Sequence, residues 1–132
     1  MYTSPYNELL SEAEGIQAFL EITCSEQPEE IKERLITLSV YCARSGNMLA
    51  QAKRILNQKT NRGIMNLIKK HSKDAFLSAK IQNALIDSLC PDENYLVDQL
   101  ERINRSTVHQ IDVLRSLLSY EKEQIRNSPN LT

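Results

Sequence analysis

From Ile31 to Leu56 two registers repeat every seven residues, Ile31, Leu38, Ser45 and Ala52 in one and Leu35, Cys42, Leu49 and Leu56 in the other. A strand alternates faces every second residue, so this spacing argues for a helix with a coiled-coil-like seam. A second stretch follows the same rule, with Val97, Asn104, Ile111, Leu118 and Ile125 in one row and Leu100, Thr107 and Leu114 beside it. Leu96, Ile103 and Leu117 widen that stripe. A face this broad suits a helix packed among several neighbours. Only three glycines and four prolines occur in 132 residues, as long helices with few turns require.

The punctuation between these rows sets the expected elements. Ser4-Pro5 offers a cap and a first-turn proline for a short helix through Leu9, Leu10, Ala13, Ile16 and Leu20 to about Cys24. Ser25, Gln27, Pro28, Glu29 and Glu30 mark a second start, with acids at the positive end of the helix dipole. That helix is predicted to run to about Lys59, with Thr60, Asn61, Arg62 and Gly63 as a turn. A third is predicted from Arg62 to Leu89, its inward positions being Ile64, Ile68, His71, Ala75, Gln82, Leu85, Ile86 and Leu89. Cys90-Pro91-Asp92-Glu93 then stops one helix and starts another, with Asp92 as its expected cap. The expectation is an all-α fold, an antiparallel helical bundle of three long helices plus a short N-terminal helix. It forms one domain over residues 1–127, with a frayed tail at 128–132. In that arrangement the turn at Thr60 to Gly63 and the turn at Pro91 to Glu93 lie at opposite ends, one basic and one acidic.

Charge is segregated. Residues 51–80 hold eight bases, Lys53, Arg54, Lys59, Arg62, Lys69, Lys70, Lys73 and Lys80, against the single acid Asp74, in a chain of net charge −1. A chain so close to neutral has no overall pull on polyanions, so any affinity for phosphate must reside in this region. On one continuous helix Arg62, Lys69, Lys73 and Lys80 fall within a wedge about 40° wide and about 27 Å long, pointing away from the apolar face. Phe76 lies among them. Lysines supply phosphate contacts and an exposed ring can stack a base. The candidate ligand-binding residues are therefore Lys59, Arg62, Lys69, Lys70, Lys73, Phe76 and Lys80, and the expected partner is nucleic acid or a nucleotide. A solvated face whose Phe76 is covered by a subunit or the first helix stays open, as does an acidic protein partner.

Cys42, Gly46 and Ala50 recur every four residues, and small side chains let another helix approach closely. They are the candidate contacts of a homo-oligomer, the alternative being close packing inside the bundle. Asn104, polar within an apolar row, is either a register-fixing residue or a rim residue.

No Ser/His/Asp ordering, glycine-rich phosphate loop or pair of inward carboxylates can be assembled, so no enzyme activity and no cofactor are expected. His109 and Asp112 are three apart, but no Glu-x-x-His occurs, so no metal is expected. Cys24, Cys42 and Cys90 are odd in number and form no Cys-x-x-Cys pair, which fits a reducing cytoplasm. The N-terminal decapeptide has neither a basic nor an apolar signal region, and no run of 18 apolar residues occurs, so neither secretion nor a membrane partner is expected.

The stretch from Gln82 to Glu123, QNALIDSLCPDENYLVDQLERINRSTVHQIDVLRSLLSYEKE, resembles small all-helical proteins of tailed phages and prophages. It covers about a third of the chain, and no functional residue is carried over from it. The resemblance implies nucleic-acid traffic or host-directed interference, including capture of a nucleotide signal. The sequence thus points to a cytoplasmic, non-enzymatic protein that binds a phosphate-rich ligand, with an oligomeric interaction or scaffold module as the alternative.

Overall fold

The computed structural model describes residues 3–71 and 79–127 and, within these, the side chains of all but 67–71, 79–82 and 86. Four helices follow one another: α1 Pro5–Leu20, α2 Pro28–His71, α3 Ala79–Leu89 and α4 Pro91–Arg126. The described residues are all-α, and no described helix is long and apolar enough to cross a membrane. The expected tail 128–132 lies outside them.

The helix starts follow from local chemistry. Ser4 Oγ accepts the Asn7 amide at 3.2 Å, and Pro5 opens α1, where its missing N–H costs nothing. Ser25 Oγ accepts the Gln27 amide at 3.1 Å, just ahead of Pro28, Glu29 and Glu30. At α4 the cap position falls on Cys90 rather than the expected Asp92, because Pro91 already occupies the first helical position. Asp92 and Glu93 instead serve as first-turn acids.

Antiparallel packing of α2 on α4 is read from their cross-links. Lys59 meets Glu93, Lys53 meets Glu101, Asn104 reaches Cys42 and Ser45, and Arg34 reaches Gln110. Between these helices lies the heptad seam. Ile31, Leu38, Ser45 and Ala52 are fully buried against Leu96, Leu100, Ile103 and Thr107, while Leu35, Cys42, Leu49 and Leu56 are half-buried. Asn104 donates to the Cys42 carbonyl and to Ser45 Oγ, both at 3.0 Å. A polar pair at this depth is satisfied only when α2 and α4 stand in one register. The shorter α1 lies along both, its Leu9, Ala13, Ile16 and Leu20 closing the core.

The third long helix expected from Arg62 to Leu89 does not form as one rod. A continuous helix would separate Gly63 from Leu89 by about 39 Å. Instead the Leu89 side chain lies where a Cβ on Gly63 would stand, 2.8 Å from that position. Thr60 to Gly63 is not a turn either, since α2 runs straight through it and no described residue has a positive φ. Glycine inside a helix costs only about 1 kcal/mol relative to alanine. Here its lack of a side chain makes the notch that α3 fills. The turn residues expected at opposite ends therefore meet at one end, with Thr60 Oγ1 3.8 Å from Cys90 Sγ.

Arg44 grips Glu12 through two nitrogens, at 2.5 and 2.8 Å, tying α2 to α1. This hydrogen bond holds the Glu12 carboxyl below the ordinary glutamate range. A depressed carboxylate stabilises the fold above its unfolded titration range, and that contribution is lost as pH falls through the folded one. Glu12→Gln is therefore expected to lower the melting temperature slightly at neutral pH. The difference should vanish once the pH drops below the ordinary glutamate range, as measured by circular-dichroism melts across an acid series.

Candidate functional site

The positive region begins inside the bundle and leaves it. Lys53 sits 3.8 Å from Glu101, a long, half-exposed pair. Lys59 is held far more closely, its Nζ 2.9 and 3.2 Å from the two oxygens of Glu93, whose side chain is nearly enclosed. That bond raises the Lys59 ammonium above the ordinary lysine range. On the other side of this junction Tyr6 donates to the Asp92 carbonyl at 3.4 Å. Burial, then the neighbouring Asp92 and Glu93, push the Tyr6 phenol up. The first turn of α4 thus places its acids directly on the basic helix.

Beyond this level α1 and α4 have not begun, while α2 continues from Lys59 to His71, about 18 Å further. The projecting stretch is a spur of α2 with α3 packed beside it. Arg54 and Arg62 are exposed, and neither meets an acid within ion-pair distance among the described residues. Lys69 and Lys70 occupy the last turn of α2 and Lys80 the first turn of α3, with side chains outside the described set. Lys73 and Phe76 lie outside the described residues altogether.

Of the two candidate ligand residues whose side chains are described, Lys59 and Arg62, Lys59 is the one that meets an acid. Sequence order alone spaces it like any other base. Its partner Glu93 stands 34 residues away, and only the fold brings the two together. The single-rod geometry of Arg62, Lys69, Lys73 and Lys80 lapses with the rod, because Lys80 belongs to α3.

The three small residues expected at an oligomer contact lie on one oblique stripe of α2, about 80° wide, that turns from the α4 contact outward. Cys42 is half-buried, its carbonyl taken by Asn104, whereas Gly46 and Ala50 are exposed. His109 and Asp112 are exposed on α4, and no group of three or more potential metal ligands occurs among the described residues.

Sequence inspection missed Arg34. Its Nη2 donates to the Phe19 carbonyl at 3.2 Å and to Gln110 Oε1 at 3.1 Å, and its guanidinium lies 4.3 Å above the Phe19 ring. Gln110 in turn donates to the Leu20 carbonyl at 3.0 Å. The last carbonyls of α1, which has no basic residue in its final turn, are thereby capped by α2 and α4. The one sequence signal for this was that absence. Comparison with protein-family models, with curated proteins and with solved structures finds no match.

Proposed function

We propose that the protein is a non-enzymatic binding module whose basic spur, the end of α2 with α3, engages nucleic acid through its phosphates. The observation that carries this reading is where positive charge stands relative to the acids. Lys59, at the root, is neutralised by Glu93, while α2 carries Arg62, Lys69 and Lys70 past the start of α4, and in sequence Lys73 and Lys80 follow against the single acid Asp74. Charge that projects from a near-neutral protein can meet a polyanion without bringing the acidic body against it. Phe76, between Lys73 and Lys80 in sequence, supplies a ring for stacking an unpaired base. The resemblance of the region from Gln82 to Glu123 to phage proteins is compatible with nucleic-acid traffic and equally with host-directed interference, including capture of a nucleotide signal.

The test is the salt dependence of binding. Replacing Lys69, Lys73 and Lys80 with Gln should weaken binding to single-stranded or duplex DNA and flatten its dependence on salt. The slope falls by about 0.7 to 0.9 for each phosphate that is no longer neutralised. Lys59→Gln should leave the slope unchanged, because its charge is already cancelled. Equal affinity of wild type and triple variant at low salt would reject the proposal. Affinity independent of oligonucleotide length would redirect it to a mononucleotide.

A further inference from the structure

The outward face of α2 is unlike a face that meets only water. Between Glu33 and Arg54 the helix has just three charged residues, Arg34, Arg44 and Lys53, and each is turned toward a neighbour, to Gln110, Glu12 and Glu101 respectively. The opposite side is free of charge for about 30 Å. Solvated helix faces normally intersperse charges of both signs. Here stand Ile36, 67% exposed, and Val40, 59% exposed, followed by Ala43, Asn47 and Ala50. Their spacing of four, three, four and three is a second heptad seam, roughly 180° around the helix from the buried row of Leu38 and Ser45. A shallow groove runs along it, lined by Ser39, Val40, Ala43 and Asn47, with Arg44, turned to Glu12, at its edge.

We infer that a second copy of this chain covers this face, its α2 antiparallel to the first and Ala43 on the two-fold axis. Two features select that occupant and that direction. The first is shape, because the bulky residues lie at one end of the seam and the small ones at the other. An antiparallel partner sets Ile36 opposite Ala50, with Gly46 flanking the seam beside Val40, whereas a parallel one stacks bulk on bulk and leaves a gap. The second is charge. The uncharged stretch is bounded on one side by exposed Glu33 and by Lys32, which is paired with Glu29 at 3.6 Å, and on the other by exposed Arg54. The same antiparallel register sets Glu33 of each copy opposite Lys53 and one residue from Arg54 of the other, twice by symmetry, while a parallel pair opposes like charges. Gly46 has room within its own chain, since an added Cβ would meet only Asn104 Nδ2, at 3.7 Å. An added Cβ there therefore meets no steric conflict within its own chain. This inference is independent of the spur, which it places at the two far ends of the dimer.

Sedimentation equilibrium of the full chain tests it. Wild type is expected to dimerise, and Val40→Asp and Gly46→Leu to be monomeric with unchanged helicity. Glu33→Arg and Arg54→Glu should each weaken the dimer by about tenfold, which corresponds to roughly 1.4 kcal/mol of binding free energy. Combined in one chain they should restore it. Within a monomer the two positions are about 31 Å apart along α2, so rescue can only come from pairing between chains. A wild type that stays monomeric at millimolar concentration overturns the inference and leaves the face to a different protein. A double variant as weak as either single one overturns the antiparallel register.

Discussion

Leu100→Ala is expected to lower the unfolding free energy by about 3 kcal/mol, whereas Ile125→Ala should change it by less than about 0.5 kcal/mol. Both residues lie on the apolar stripe of α4, and by periodicity they are equivalent. The structure separates them. Leu100 is fully buried, with Ile103 and Leu96 on its own helix and the α2 seam across from it. Removing three carbons there forfeits their transfer energy and leaves a cavity that a close-packed three-helix interior refills only in part. Ile125, 56% exposed, belongs to the end of α4. The cross-link from Arg34 to Gln110, continued down the antiparallel pair, puts Pro28 near Ser116, so α2 begins too late to cover Ile125. Thermal melts followed by circular dichroism should show a drop on the order of 10 °C for Leu100→Ala. Equal, small shifts for both variants would mean that α4 is not packed between α1 and α2 at Leu100.

Arg34→Met should cost about 2 to 3 kcal/mol, although the methionine retains most of the apolar stem. The substitution removes two hydrogen bonds from a charged donor, together with the guanidinium that stacks over Phe19. The Nε of Arg34 is buried with no partner among the described residues, so its release from that site offsets part of the loss. Phe19 also meets Tyr41 edge-on at 5.1 Å, so a ring freed from the guanidinium loosens its packing on α2 as well. The damage should be local as well as global. Amides near the end of α1 should exchange with solvent faster than those of the α2–α4 seam, because the capped carbonyls of Phe19 and Leu20 belong to that last turn. Arg34→Lys should recover less than half of the stability, since an ammonium lacks the flat guanidinium face that stacks over Phe19 while Nη2 serves both acceptors. Uniform exchange in Arg34→Met, with an unshifted melt, would show that the guanidinium does not hold α1 in place.

The all-α character, the start of α1 at Ser4-Pro5 and the buried rows of α2 and α4 were legible in the chain because each rests on residues at most seven apart. Backbone geometry converts such spacing into a face without reference to anything distant. Ile31, Leu38, Ser45 and Ala52 are buried as their register requires, the serine included, because Asn104 satisfies it. What the chain could not decide is where α2 stops. Thr60 to Gly63 reads as a turn because glycine and polar residues populate turns, yet the same residues continue a helix at a cost of about 1 kcal/mol. Packing of Leu89 into the Gly63 notch and of Cys90 against Thr60 settles the matter, and both contacts join residues 26 to 30 positions apart. The same holds for charge. The count over residues 51–80 is a property of the sequence, but which cations remain available is a property of the fold. Glu93 neutralises Lys59 across the α2–α4 junction, Glu12 and Glu101 draw Arg44 and Lys53 toward neighbouring helices, and α2 is left with an uncharged outer face. Electrostatic pairing acts over a few ångströms in space, and only the tertiary structure specifies which distant residues come that close.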